Sequence, residues 1–498
     1  RKMTAIITEK FRQHNATQFF ESFSEASATV YYLMIGKSMP FTSGTSGGSD
    51  SSPPTPADDV TSEFYTWDSA IAAKKITTSN ITKVIPRRDW ANSTTFDMYE
   101  DNISASNTTT SGATNLYDST FFFKTSDNRV YMVLDNNGGT AYSGAEPTSE
   151  STASFVLGGY TLKFLYTISA SQQATFTTTD FMPVSTDSTI SAAAADGAIE
   201  SIIVTNAGSG LTNGTYYAAV YGDGTSQGTS SGAIVKITVS SNAISAVSTG
   251  NTGVQQAGAG YTFGTVNLGS GFTFSDTSLS SASAIGGSGS AISVVISPKG
   301  GHGSNNADQL GGHYVMLQTS LEGADNDDFT TGNDFRNINL VADPTTFGTS
   351  TVGTATSFRN TYAMQFSGTP GTFQADEKIS QATTGAIGRV VEFDSTLKIL
   401  YYQQERFADY GTSSSTGAYV AFSTAATVTG ATSGATGVPD ITSDSAVTLA
   451  GGNTITFSNG HANPELQPDS GDIIYRENRK PISRSTDQTE DIKVIVEF

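Results

Sequence analysis

The chain has 498 residues, 37% of them hydrophobic and 50 of them glycine, yet only 14% are charged and the formal net charge is −20. That length predicts two to four structural units. Polarity resting on Ser, Thr, Asn and Gly favours strands and turns over helices. The absence of cysteine excludes disulfides and thiolate metal sites, and the acidity argues against nucleic acid or anionic lipid as a partner.

The acid is unevenly spread. Residues 1–90 carry 10 basic and 9 acidic groups and residues 471–498 carry 5 and 6, which leaves 11 and 31 for residues 91–470. The ends read as a balanced, paired framework and the middle as an acidic, solvated surface.

In chain order, Arg1-Lys2-Met3-Thr4-Ala5-Ile6-Ile7 is basic and then briefly apolar, but turns polar at Thr8, too soon for a signal-peptide core. No apolar run approaches the roughly 18 residues of a membrane span, so the expectation is a soluble, unsecreted protein. Phe11, Ala16, Phe19, Phe20 and Phe23 predict an amphipathic helix over 9–25. Val30 to Ile35 reads as a buried strand ended by Gly36, residues 42–59 as a loop around Pro53-Pro54, and 64–75 as a second helix followed by a strand running into Pro86.

At the far end Ile492, Val494, Val496 and Phe498 alternate with Lys493, Ile495 and Glu497, as a half-buried strand requires. Such a strand needs a partner, and the balanced N-terminal segment is the expected one. The predicted division is therefore a core domain of 1–90 plus 456–498, a β domain at 91–190, an inserted glycine-rich β-repeat module at 191–298, a β segment at 299–356 returning to the framework, and a second inserted β-repeat module at 357–455.

Repeats define the two modules. Ala207-Gly-Ser-Gly-Leu-Thr212 recurs as Ala257-Gly-Ala-Gly-Tyr-Thr262, and Phe373–Gly388 recurs as Phe422–Gly437 at an offset of 49 residues. Glycine at fixed points between short β runs predicts turns with positive φ. A flexible low-complexity spacer is the competing reading of 191–298.

Chemistry is sparse. His302 and His313 stand in glycine-rich surroundings with Asp308 between them, in no standard zinc spacing, and read as turn residues. Asp325-Asn326-Asp327-Asp328 resembles a calcium loop in composition only, because Thr330 and Arg336 occupy the positions that need Gly and Glu; it reads as a solvated loop. Gly208-Ser209-Gly210 lacks the helix and acidic residue of a dinucleotide site, and no phosphate loop or nucleophile elbow with its context occurs. No catalytic residue, cofactor or metal is expected. A carboxylate-pair glycosidase leaves no motif and stays open as an alternative.

Two polar clusters stand out. Arg87, Arg88, Asp89 and Trp90 follow a predicted buried strand, and Tyr475, Arg476, Glu477, Asn478 and Arg479 lie near the C-terminus. Arg makes bidentate pairs with carboxylates, and Arg and Trp are enriched at interface hot spots. The residues read either as interface anchors or as an internal salt-bridge net joining the ends.

The same clusters carry a family likeness. Val84–Trp90 and Gly471–Ile482, with weaker support from Ala5–Arg12, Ile35–Phe41, Gly159–Ile168 and Asp334–Val341, resemble the gene-product-eight baseplate wedge family of T4-like contractile-tailed phages. The likeness covers about half the chain, and the two repeat modules depart from it. It implies a mainly β, multidomain protein with both termini in a small α/β sandwich core and β-sandwich domains looped out of it. It further implies a homodimer in a sixfold assembly beside other wedge subunits, located in the virion tail baseplate after assembly in the host cytoplasm. The implied role is structural and not enzymatic: holding neighbouring wedge proteins during assembly and tail contraction. The alternative is a phage tail or host-adhesion protein with glycan-binding β modules, suggested by Tyr216, Tyr217 and Tyr261 within the polar repeats.

Overall fold

The computed structural model describes residues 6–41, 48–222, 232–245, 252–266, 268, 281, 284–406 and 419–498. The opening five residues and residues 42–47 of the expected loop lie outside the described residues. The chain divides into two compact units, one of Arg1–Phe20, Thr82–Met316 and Ile495–Phe498, the other of Glu21–Ile81 and Leu317–Val494. The molecule is mainly β, with several sheets, as the composition led us to expect.

Helix α1 spans Glu9–Glu21 and is followed by β1 (Tyr31–Gly36), α2 (Val60–Asp68), β2 (Ala70–Ile76) and β3 (Ile81–Pro86). β1 is buried at every position, so it must be a central strand covered on both faces. The expected helix over 64–75 ends at Asp68, and Ala70-Ile-Ala-Ala-Lys-Lys-Ile76 is strand. Alanine has high helix propensity, but Ala70, Ile71, Ala72 and Ala73 are all buried beside β1, and tertiary packing overrides the local preference.

The first unit continues with β4 (Phe122–Lys124), β5 (Arg129–Asp135), β6 (Phe155–Leu157), β7 (Tyr160–Thr167), α3 (Ala170–Phe176), β8 (Phe181–Pro183) and α4 (Ser188–Ala193). β4 to β7 form an antiparallel sheet in the order β4-β5-β7-β6. Strand alternation separates its two faces. Phe122, Val130, Met132 and Leu134 enter one core, and Phe123, Tyr131, Val133 and Leu162 enter another.

Then β9 (Ile199–Ser209) leads out into β10 (Gly214–Tyr221), β11 (Ile234–Ser240), β12 (Ala243–Ile244), β13 (Val254–Gln256) and β14 (Thr265–Val266), and β15 (Ser288–Ile296) leads back. β9 and β15 pair antiparallel from Ile199↔Ile296 to Ser209↔Ser288, so the chain leaves and returns along one two-stranded ribbon. Both copies of the Ala-Gly-x-Gly repeat use the same turn chemistry: φ is +70° and +67° at Gly208 and Gly210, and +62° and +78° at Gly258 and Gly260.

After the short α5 (Asn306–Gln309), β16 (Tyr314–Glu322) and β17 (Asp334–Ala342) carry the chain to β18 (Ser357–Arg359). In the second unit β18, β2, β1, β17 and, near the C-terminus, the strand Asp472–Ser483 make one antiparallel sheet in that order. α2 packs on it through Trp67, which joins Tyr32, Met34, Ala73, Val341, Phe358 and Leu466 in a core cluster.

The second repeat builds a barrel. β19 (Tyr362–Ser367), β20 (Lys378–Gln381), β21 (Ala386–Asp394), β22 (Ile399–Gln403), β23 (Val428–Gly430) and β24 (Thr436–Pro439) pair in the order β22-β21-β20-β23-β24-β19, and β22 also pairs with β19, which closes the ring. Closure removes free edges. The 49-residue offset maps Ser380 onto Thr429, and these two face each other, flanked by Ile379↔Gly430 and Gln381↔Val428. The repeat copies are thus related by a local twofold axis between β20 and β23. The hairpin β25 (Ala446–Thr448) and β26 (Thr454–Thr456) follows, with β27 (His461–Ala462) paired to β19.

β28 (Asp472–Ser483) and β29 (Thr489–Glu497) end the chain. β29 buries Ile492 and Val494, as the alternation predicted. Its neighbour is β16 and not an N-terminal strand; Gly323 N donates to Gln488 O at 2.9 Å and Phe498 N to His313 O at 3.2 Å. Among the described residues no helix is long and apolar enough to cross a membrane.

Candidate functional site

The first cluster sits where β3 ends, in the first unit. Arg87 Nε reaches both carboxylate oxygens of Asp89 at 3.0 Å, and its Nη1 donates to Thr178 O at 2.9 Å. Lys124 Nζ lies 3.6 Å from the same carboxylate. Burial works to raise the Asp89 carboxyl, but Arg87 and Lys124 outweigh it and hold the group below its usual range. The Arg88 guanidinium lies 4.3 Å above the Phe122 ring and donates to Tyr117 O at 2.8 Å, and burial lowers its pKa to about 10. Trp90 meets Tyr142 edge-on at 5.8 Å. Arg88 Nη1 and Trp90 Nε1 are buried with no hydrogen-bond partner among the described residues. Arg87 and Asp89 therefore satisfy one another, while Arg88 and Trp90 keep unused donors.

The second cluster lies on β28 in the second unit, and strand alternation sorts it into two faces. On one, Tyr475 Oη donates to Glu477 Oε2 at 2.8 Å and Arg479 Nε pairs with Glu477 Oε1 at 3.0 Å. On the other, Arg476 Nη1 donates to Ala57 O and Asn478 Nδ2 to Pro54 O, both at 2.9 Å. Those two bonds tie the described part of the 42–59 loop to the sheet. Between that strap, α2 and the sheet lies a cleft of about 420 Å³ lined by Lys37, Tyr65, Asn337, Arg476 and Asn478 among others. The two clusters belong to different units.

Two expectations need correction and one needs completing. His302 does lie in a turn, but it is buried there, 3.4 Å from Ser297 Oγ and 3.9 Å from Glu200, while His313 directly precedes β16 and pairs with Glu9 of α1. The Asp325–Asp328 stretch is a packed latch and not a solvated loop. Lys74 grips Asp325 at 2.6 Å, Asp327 accepts from the amides of Gly451 and Asn453, and the buried Asp328 accepts from Ser357 Oγ at 2.6 Å and Asn453 Nδ2 at 2.9 Å. Tyr216 and Tyr261, offered as exposed sugar platforms, are core residues whose hydroxyls donate to Thr212 O and Val220 O. Sequence spacing does not signal these, because Glu9, Glu200, Ser357, Asn453 and Val220 are each distant in sequence from the residue they meet.

One constellation escaped the sequence reading altogether. Glu200 on β9 is held by Lys163 on β7 at 3.2 Å and by Ser297 Oγ at 2.9 Å, all within the first unit. Burial pushes its carboxyl up, but His302, Lys163 and Ser297 together bring it down to about 2. The arrangement pins the root of the inserted ribbon to the four-stranded sheet.

Comparison with known proteins bears on the part of the chain around the first cluster. Residues 5–137 match the family described as Bacteriophage T4, Gp8. The baseplate wedge protein gp8 of Enterobacteria phage T4 is 31% identical over 96 residues, which is 19% of this chain and 28% of that protein. The aligned part thus spans little more than a quarter of the relative's length. The Gp8 match contains Val84–Trp90, Ala5–Arg12 and Ile35–Phe41, whereas the β28 cluster lies beyond it.

Proposed function

We propose that the chain is a structural subunit of a phage tail baseplate, of the wedge type, that binds other baseplate proteins and takes part in no catalysis. The Gp8 match over residues 5–137 carries this reading. The architecture supports it: each unit is organised around sheets with extensively buried cores, suited to a bracket that keeps its shape under load. The net charge of −20 keeps free subunits apart until specific contacts form. Homodimerisation, a sixfold setting, assembly in the host cytoplasm and a holding role through contraction belong to the same proposal. Within it, Arg88 and Trp90, with unused buried donors, and Arg476, with its strap contact, are the foremost anchors; Arg87, Asp89, Tyr475, Glu477, Asn478 and Arg479 position them.

The test is complementation of a phage lacking this gene with Arg88→Ala, Trp90→Ala and Arg476→Ala chains whose folding is verified by circular dichroism. Stalled tail assembly is the expected outcome. Full yields of infectious particles from all three would refute the anchor assignment.

A further inference from the structure

The turn between β16 and β17 is strained and tied to several elements of the second unit. Asp325, Asn326 and Asp327 follow one another at φ +41°, +63° and +65°, a conformation that Asp and Asn adopt singly and seldom in succession. Side-chain contacts hold it there. Asp325 takes Lys74 of β2, Asp328 takes Ser357 of β18, and the Thr331 amide donates to Glu392 of β21. The same turn fastens the tip of the β25–β26 hairpin: Asp327 accepts from Gly451 N at 2.7 Å and Asn453 N at 3.0 Å, and Asp328 accepts from Asn453 Nδ2 at 2.9 Å. A Cβ on Gly451 would stand 2.6 Å from Asp327 Oδ1, so glycine at that position is what lets the carboxylate reach both amides.

We propose that this turn is a pH-sensitive latch, which holds the hairpin tip while Asp328 and Glu392 carry protons and releases it as they ionise. Both acids hydrogen-bond neutral groups, and neither forms an ion pair among the described residues. Burial raises Asp328 to about 6, with Glu465 adding to the rise and Ser357, Arg359 and Asn453 opposing it. Burial raises Glu392 to about 7, with Asp394 adding and the Thr331 amide and Arg484 opposing. The nearby cations are largely committed, Lys74 to Asp325 and Arg484 to Glu490. With every acid ionised, Asp325, Asp327, Asp328, Glu392, Asp394, Glu465 and Glu490 outnumber Lys74, Arg359 and Arg484. Both folded pKa values lie above their unfolded ones, so the closed latch is favoured below them and weakens as pH rises through about 6 and 7. Opening hydrates the two carboxylates and relaxes the left-handed turn. The base of the hairpin stays in place, because Ile455 and Phe457 remain packed with Val391, Ile399 and Tyr401. The inference concerns the second unit alone and does not depend on the baseplate reading.

The test is amide hydrogen exchange of the full-length chain, read by mass spectrometry over residues 446–456 at pH 5 and pH 8 and corrected for the intrinsic rate. Protection is expected to be lower at pH 8 by about tenfold or more, the change that hydration of Asp328 alone brings. It should be insensitive to about 1 M urea, because a local opening exposes little surface. A chain carrying Asp328→Asn and Glu392→Gln should lose the pH dependence. Gly451→Ala leaves both acids in place and displaces Asp327, so it is an independent opener should the double variant fail to fold; its hairpin tip should exchange fast at both pH values. Equal protection at pH 5 and pH 8, exchange that urea accelerates, pH dependence that survives in a folded double variant, or full protection in the Gly451→Ala chain would overturn the proposal.

Discussion

Three buried carboxyls, one in the first unit and two in the second, behave in opposite ways. In the first, Glu200 is enclosed with Lys163, Ser297 and His302 around it, and its pKa falls to about 2. In the second, Asp328 accepts from the neutral groups of Ser357 and Asn453, and Glu392 from the Thr331 amide at 3.0 Å. Burial pushes those two up to about 6 and about 7. Desolvation is common to all three carboxyls; the charges of Arg359 and Arg484 oppose the rise at Asp328 and Glu392 without overcoming it, whereas Lys163 and His302 lie against Glu200 and outweigh its burial. Glu200 is a fixed pin, whereas Asp328 and Glu392 are costly when ionised.

The largest expected effect comes from breaking the pin. Glu200→Gln leaves the Lys163 ammonium, only 6% exposed, without its counter-charge, and stranding such a group costs about 3–5 kcal/mol. Amide hydrogen exchange in β7 and β9 should accelerate accordingly, and unchanged protection there would contradict the pin.

A pH titration sharpens the contrast. Asp328 and Glu392 have folded pKa values above their unfolded ones, so their penalty is full at alkaline pH and is relieved as pH falls through about 7 and 6 towards 4. Protection in β17 and β18 should rise by about 2 kcal/mol between pH 8 and pH 5. Glu200 is depressed, so its contribution is present above about 4.5 and is lost only as pH falls towards 2. Equal pH responses in the two units would remove the distinction. Asp328→Asn should abolish roughly a third of the gain in the second unit, with the remainder belonging to Glu392.

The smallest effect is predicted for excising the first module. Asn206 and Ala291 are paired neighbours on the ribbon, so replacing 207–290 with a two-residue Asn-Gly turn closes the gap with hairpin geometry. The loss of protection in β5 and β7 should be about 1 kcal/mol, because the module core around Tyr216, Val235, Ile237 and Tyr261 is largely its own. Unfolding of the four-stranded sheet would show the module to be structural.

What the sequence disclosed was local. The alternation of Ile492 and Val494, the unbroken apolar run of β1 and the positive-φ glycines of both repeats follow from a residue and its near neighbours. What it concealed depends on distant partners. Ala70–Ala73 became strand because β1 and β18 flank it. His302 was buried by Tyr99 and Glu200, and the closure of β22 onto β19 has no local signature. The site was half legible: Arg88, Trp90 and Arg476 stood out by type, but Lys37 and the cleft were invisible until the strap was tied down by Asn478.

Electron cryomicroscopy of intact tails from a phage encoding this chain tests the structural role directly. The account predicts density for both units in the baseplate, with Trp90 and Arg476 covered by neighbouring subunits. Particles whose baseplates lack this chain, or that hold it with both residues facing solvent, would contradict it.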